Sequence, residues 1–275
     1  MSDTHRRLDD LKAAAQPRIG PAYPHAQPLA TGLAEILGGC EACCAGKLHW
    51  VIETAFDVAW PGHAARTESL DGPLHHQHAR HSPPLVIEPH RTLVVDIETG
   101  GFAGMPVFLI GIVSLDQRPL SVLQLLARDY PEEEGILRAM AALAAEHDTW
   151  VTFNGKSFDE PFLRDRATLH RVQLAAPSTH VDLLHAARRA WPRELPNHRL
   201  GTLEEHILHR RRVGDVPSSD VPDLFHHFMR TGNAAPLRPV LEHNRIDLVS
   251  ATELLLRLAT PAPVEGLSEP DPGGG

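Results

Sequence analysis

Between residues 91 and 153 the apolar positions fall into short runs separated by turn residues. Thr92 to Glu98 reads as a strand, Pro106 to Leu115 as a second and Leu120 to Leu126 as a third, with Asp116-Gln117-Arg118-Pro119 supplying the tight turn between the last two. Consecutive runs with short links predict antiparallel neighbours. Helical spacing then takes over: Ile136, Leu137, Met140 and Leu143 mark a helix over Glu132 to Glu146, followed by a fourth strand at Trp150-Val151-Thr152-Phe153. Phe158 to Leu169 predicts another helix and His180-Val181 a short fifth strand. The rest is helical, ending in a helix from Leu237 to Leu258 with Leu241, Leu248, Leu254, Leu255 and Leu258 on its apolar positions. Thr202-Leu203-Glu204-Glu205 matches a capping box, with Thr202 as N-cap and Glu205 reaching back to it. The order of elements is that of an α/β protein.

The flanks read differently. Residues 1–30 are polar and carry Pro17, Pro21, Pro24 and Pro28, as a disordered lead-in does. Residues 31–90 form an N-terminal extension in which Leu33 to Leu37 predicts a helical turn and Leu48 to Glu53 alternates like a strand. The tract from Leu74 to His81 is dense in histidine and reads as an exposed loop, and residues 259–275 read as a disordered tail. Hydrophobic residues make up 42% of the chain, ample for a packed core. No apolar run approaches the ~18 residues of a membrane span, and the N-terminus has no apolar signal segment, so the expectation is a cytoplasmic protein without a membrane partner. Cys40, Cys43 and Cys44 are odd in number and crowded, with no second Cys/His pair at zinc spacing; reduced thiols on a strand or turn are expected.

A formal charge of −9 argues against coating nucleic acid electrostatically. It is compatible with an enzyme whose site is acidic until a cation binds. Asp96 and Glu98 stand two apart on a predicted strand and so share one face, where their repulsion is tolerable if a hard divalent cation lies between them. After the fourth strand, Gly155-Lys156-Ser157 is not a phosphate loop, because Trp150 stands where that motif requires glycine. Asn154 instead shapes a turn, and Asp159 opens the next helix facing the end of the sheet where Asp96 and Glu98 emerge. His243 and Asp247, four apart, lie on one helix face. Asp182 reads as a helix start, and Asp215, Asp220 and Asp223 as loop acids without a role.

In this order the motifs resemble those of the DEDD, or DnaQ-like, 3′→5′ exonucleases of the ribonuclease H-like superfamily, and within it the YprB-type ribonuclease H-like proteins of bacteria. Asp96-Ile97-Glu98 is similar to the first family motif. Asn154 through Leu163 is similar to the second as it occurs in family B polymerase proofreading domains, and His243 with Asp247 to the third. The similarity covers residues 91–258. One departure is that three residues separate His243 from Asp247, the spacing of the subtype that carries tyrosine in place of histidine.

The resemblance implies a ribonuclease H-like fold, a five-stranded mixed sheet flanked by helices with a small N-terminal extension. It also implies hydrolysis of phosphodiester bonds from the 3′ end of DNA or RNA with two divalent cations, Mg²⁺ or Mn²⁺. By that resemblance Asp96 bridges both ions ~4 Å apart, Glu98 and Asp247 complete the site of the attacking water, Asp159 holds the second ion and His243 accepts the water's proton. Thr99, Gly100, Asn154 and Phe158 are the expected substrate contacts; Phe102 or Met105 could stack on the terminal base, although packing in the core or loop is the expected role of each taken alone. An endonuclease of the same fold, or a non-catalytic nucleic-acid-binding scaffold, are the alternatives.

Overall fold

A computed structural model describes residues 27–59, 70, 72–76, 85–101 and 104–261. Phe102 and most of the histidine-dense tract lie outside these residues. The chain begins with α1 (Gln27–Leu37), β1 (Cys40–Cys44), β2 (Lys47–Ala55) and the single turn α2 (Phe56–Ala59), then two short strands, β3 (Leu74–His76) and β4 (Leu85–Ile87). There follow β5 (Thr92–Thr99), β6 (Val107–Ser114), β7 (Ser121–Leu126), α3 (Glu133–Ala144), β8 (Thr149–Thr152), α4 (Asp159–Leu169), β9 (Thr179–Asp182) and α5 (Leu183–Ala190). The last elements are α6 (Leu200–His206), α7 (Val221–Thr231), α8 (Arg238–Leu258) and β10 (Ala259–Pro261).

The main sheet has seven strands in the order β1-β2-β7-β6-β5-β8-β9, where the sequence predicts five. The five are present as β5 to β9, and the two extra strands come from the N-terminal extension. β2 pairs antiparallel with β7, from Trp50 opposite Leu126 to Ala55 opposite Ser121, and β1 closes onto β2 as a hairpin. Without β2 the outer edge of β7 would present a row of open backbone groups, and β2 satisfies them. Pairing between segments so far apart leaves no trace in local periodicity, which explains why the extension's place in the sheet was not predicted. β5, β8 and β9 are mutually parallel, so the sheet is mixed as expected. β10 joins β3 and β4 in a second, three-stranded sheet, although residues 259–261 read as tail. Likewise α1 begins at Gln27, inside the stretch that reads as lead-in.

The helices cover the two sheet faces. On one, Val95 and Ile97 of β5 join a core with Ile136, Leu137 and Met140 of α3, Leu163 of α4 and Phe225 and Phe228 of α7. On the other, Val94 packs with Leu248, Val249 and Leu255 of α8, Leu183 and Ala187 of α5 and Leu203 of α6. This alternation puts Asp96 and Glu98 on the Val94 side, toward α8.

Thr202 does not cap α6. The helix starts at Leu200 with Arg199 as its N-cap residue, and Thr202 Oγ1 donates to Asn197 Oδ1 at 2.7 Å. Asn197 Oδ1 also accepts from Arg199 N at 2.9 Å, so the asparagine organises this helix entry, and Glu205 is solvent exposed.

Candidate active site

A cavity of about 730 Å³ opens at the end of β5, lined among others by Asp96, Glu98, Asp159, His243 and Asp247. Three elements bring these side chains together. β5 supplies the first pair at its C-terminal end, where the ladder with β6 is irregular between Glu98 and Thr99. α4 supplies Asp159 in its first turn; the carboxylate accepts the Ile97 amide at 3.1 Å, which ties the helix start to the strand. α8 supplies His243 and Asp247, with His243 Nε2 3.8 Å from Asp247 Oδ2.

The turn before α4 is strained and held. Asn154 has φ of 65°, in the left-handed region. A Cβ on Gly155 would stand 2.5 Å from Thr152 Cβ, so that position has room only for glycine. Asp182 caps α5 through Leu184 N at 3.0 Å, as its sequence position suggests, and also accepts from Asn154 N at 3.0 Å and Lys156 N at 3.2 Å. One buried carboxylate thus fixes both the start of α5 and the turn that launches Asp159.

Asp96 has its own support. Asn244, fully buried on α8, donates from Nδ2 to Asp96 Oδ2 at 2.8 Å and to the Asp96 carbonyl at 3.2 Å. Its Oδ1 accepts from Gln124 Nε2 at 2.8 Å, which anchors α8 to β7. The amide fits because Gly111 stands opposite Asp96 in β6: a Cβ there would lie 2.3 Å from Asn244 Oδ1.

Electrostatics in the cleft are unfavourable for four ionised acids. Burial, followed by repulsion from Asp247, Asp159 and Glu98, holds the Asp96 carboxyl well above its ordinary value. Glu98 is raised well above its own, again by burial first and then by Asp247, Asp159 and Asp215. Burial pushes Asp159 up to about 7 against the opposing hydrogen bonds from its own amide and that of Ile97. Asp247 is raised by burial although Arg212 and His243 pull it down.

The remaining predicted residues lie where a substrate would meet them. Thr99, Gly100, Asn154, Phe158 and Met105 all line the cavity. Thr99 Oγ1 is committed to the Gly101 carbonyl at 2.9 Å, while Phe158, 44% exposed, leans on Phe162 with ring centroids 5.5 Å apart at the mouth.

Several residues near the site escaped the sequence reading. Arg212 donates to both Glu204 oxygens at 2.6 Å, to Asp215 at 3.1 Å and to Asp247. Asp215, read as a loop acid without a role, accepts from His243 Nδ1 at 2.7 Å. From α7 and its approach, Ser218, Ser219, Pro222, Asp223 and His226 form the far wall. None of these belongs to a local motif; Asn244, a polar residue on the buried face of an apolar helix, and Gly111, a glycine inside a strand, were the signals on offer.

Among the described residues, no three His, Cys, Asp or Glu side chains are arranged to share one ion. Asp247 is turned to Arg212 and Asp159 to the Ile97 amide. The chemistry of the donor set nevertheless fits hard divalent cations: all-oxygen ligands whose mutual repulsion a cation would relieve.

The sequence from residue 93 to 259 matches the RNase_H superfamily, and the chain belongs to it. It is similar to the uncharacterized protein YprB of Bacillus subtilis (strain 168), with 34% identity over 169 residues, a match covering 60% of this chain and 41% of that one. The chain therefore spans less than half the length of that relative. In fold it is similar to the family B DNA polymerase of the hyperthermophilic archaeon Pyrobaculum calidifontis, with a TM-score of 0.51 and 16% identity over 93% of this chain and 34% of the polymerase.

Proposed function

We propose that this protein is a divalent-cation-dependent nuclease that removes nucleotides from the 3′ end of DNA or RNA. The observation that carries this reading is the set of four carboxylates from three elements, Asp96, Glu98, Asp159 and Asp247, lining one cavity and all raised by burial with too little compensating charge. A protein with no use for a cation would gain by replacing one of them. These four would hold Mg²⁺ or Mn²⁺, and when bound, a cation pair neutralises phosphate charge and makes water a competent nucleophile near neutral pH.

The chain's own residues do the remainder. Asn244 holds the Asp96 carboxylate in one orientation. His243 lines the cavity and takes a proton from water through Nε2. Phe158 and Met105 offer a wall against which a terminal base stacks. A cavity of about 730 Å³ has the size of a small-ligand site, which suits the end of one strand better than its middle.

The test is incubation of 5′-labelled single-stranded DNA and RNA with the protein in Mg²⁺ or Mn²⁺, beside EDTA and an Asp96→Ala control. The expected result is a metal-dependent ladder shortening from the 3′ end and absent with the variant. Internal cuts would reassign it as an endonuclease, and intact polymers throughout would leave a nucleic-acid-binding scaffold.

A further inference from the structure

The geometry points to Asp215 as the positioning residue of the proposed proton acceptor: it fixes the His243 ring and its tautomer so that Nε2 presents a lone pair to the cavity. This inference rests on the nuclease reading above and adds to it a residue outside the three motifs. Asp215 lies on the segment between α6 and α7, 28 positions before His243, yet its Oδ1 stands 2.7 Å from His243 Nδ1. Arg212 Nη1, which can only donate, also lies 3.4 Å from Nδ1, but the contact with Asp215 is far shorter; since an ionised carboxylate can only accept, the proton between them belongs to Nδ1 and Nε2 is left bare. His243 Nε2 faces Asp247, 3.8 Å away, on the cavity side of the ring.

Asp215 is itself held in register. Arg212 Nη1 donates to its second oxygen, Oδ2, at 3.1 Å, and Arg212 is pinned to the body of the fold by two 2.6 Å bonds to Glu204. Glu204 is buried on α6 and accepts from Ser250 Oγ of α8 at 2.5 Å. The segment carrying Asp215 is thereby fastened to the helix that carries His243. Against the cost of burial, the hydrogen bond from His243 and the Arg212 charge hold the Asp215 carboxyl below its ordinary value, so it stays an acceptor. A loop acid that merely solvated the surface would have no reason to receive both an imidazole and an anchored guanidinium.

Arg212 also dictates what an isosteric substitution does. In Asp215→Asn the amide oxygen is drawn to Arg212, which leaves the NH₂ group facing Nδ1. The ring must then accept at Nδ1 and carry its proton on Nε2, pointing at the cavity, where it can no longer take one from water. Size and packing stay the same, so the variant folds.

The experiment is ¹⁵N NMR of His243 followed through a pH titration and read on its neutral form, in the full chain as wild type and Asp215→Asn, with cleavage kinetics on the same proteins. We expect the Nδ1–H tautomer in the wild type and Nε2–H in the variant. Turnover should fall on the order of 10²-fold or more with KM unchanged, and Asp215→Asn should add nothing in a His243→Ala background. An Nε2–H wild type, an unchanged tautomer in the variant, or a switched tautomer with full turnover would each overturn the inference. If no polymer is cleaved even by the wild type, the nuclease reading fails, and the catalytic role proposed for Asp215 falls with it. The tautomers would still report separately whether Asp215 orients His243.

Discussion

Asp159 keeps its proton up to about pH 7 in the folded chain against 3.8 for an ordinary aspartate, chiefly because it is buried. Between those two values the folded state binds a proton that the unfolded state has released, so this residue makes the cation-free protein lose stability as pH rises through that window. Asp159→Asn removes the effect while leaving an oxygen for the Ile97 amide. Chemical denaturation in EDTA should find the variant gaining on the wild type from pH 4 toward 7, by on the order of a few kcal/mol. His49 acts with the opposite sign. Burial lowers it from 6.5 to about 4, so the stability associated with its neutral form is complete above 6.5 and is lost as pH falls toward 4. Replacing it in His49→Leu should flatten the acid side of the stability curve, again by on the order of a few kcal/mol; an unchanged slope would count against a buried neutral imidazole. At this scale the candidate acids were legible, because Asp96-Ile97-Glu98 and His243 with Asp247 are short-range patterns. Arg212, Asp215 and Asn244 were not, because their partners are brought to them only by the fold.

α8 is the element that joins the proposed chemistry to the core: Leu248 and Leu255 pack beneath the sheet while His243, Asn244 and Asp247 reach the end of β5. Its approach to the sheet depends on the missing side chain at Gly111, where a Cβ would meet Asn244 Oδ1 at 2.3 Å and Leu248 Cδ1 at 2.6 Å. Gly111→Ala should cost about 1–3 kcal/mol. It should also weaken cation binding, since Asn244 and Asp247 must move with the helix; titration calorimetry beside a thermal melt checks both. The hydrophobic spacing located this helix to within a residue of its observed start, Arg238. Capping chemistry was harder to read, as Thr202 shows: the local motif was present, but the asparagine five residues earlier won the hydroxyl.

For the whole molecule, the N-terminal extension supplies strands rather than an appendage. Trp50, Val51 and Ile52 of β2 are buried in the same core as the strands they flank. Removing residues 1–59 would strip β7 of its outer partner, making it an edge strand, and uncover that apolar surface. A chain starting at residue 60 should therefore be insoluble or melt well below the full protein, measured by solubility and circular dichroism; an equally stable truncation would show the extension to be dispensable. A single negatively charged chain was legible from composition, and the α/β order from periodicity, whereas the seven-stranded sheet was not, since strand order is a long-range property. On the proposed function, the acidic cleft exists to hold divalent cations. Calorimetric titration of Mn²⁺ into the wild type and Asp96→Asn should find about two ions per chain in the wild type, lost or halved in the variant. No binding by the wild type, or equal binding by both, would contradict it.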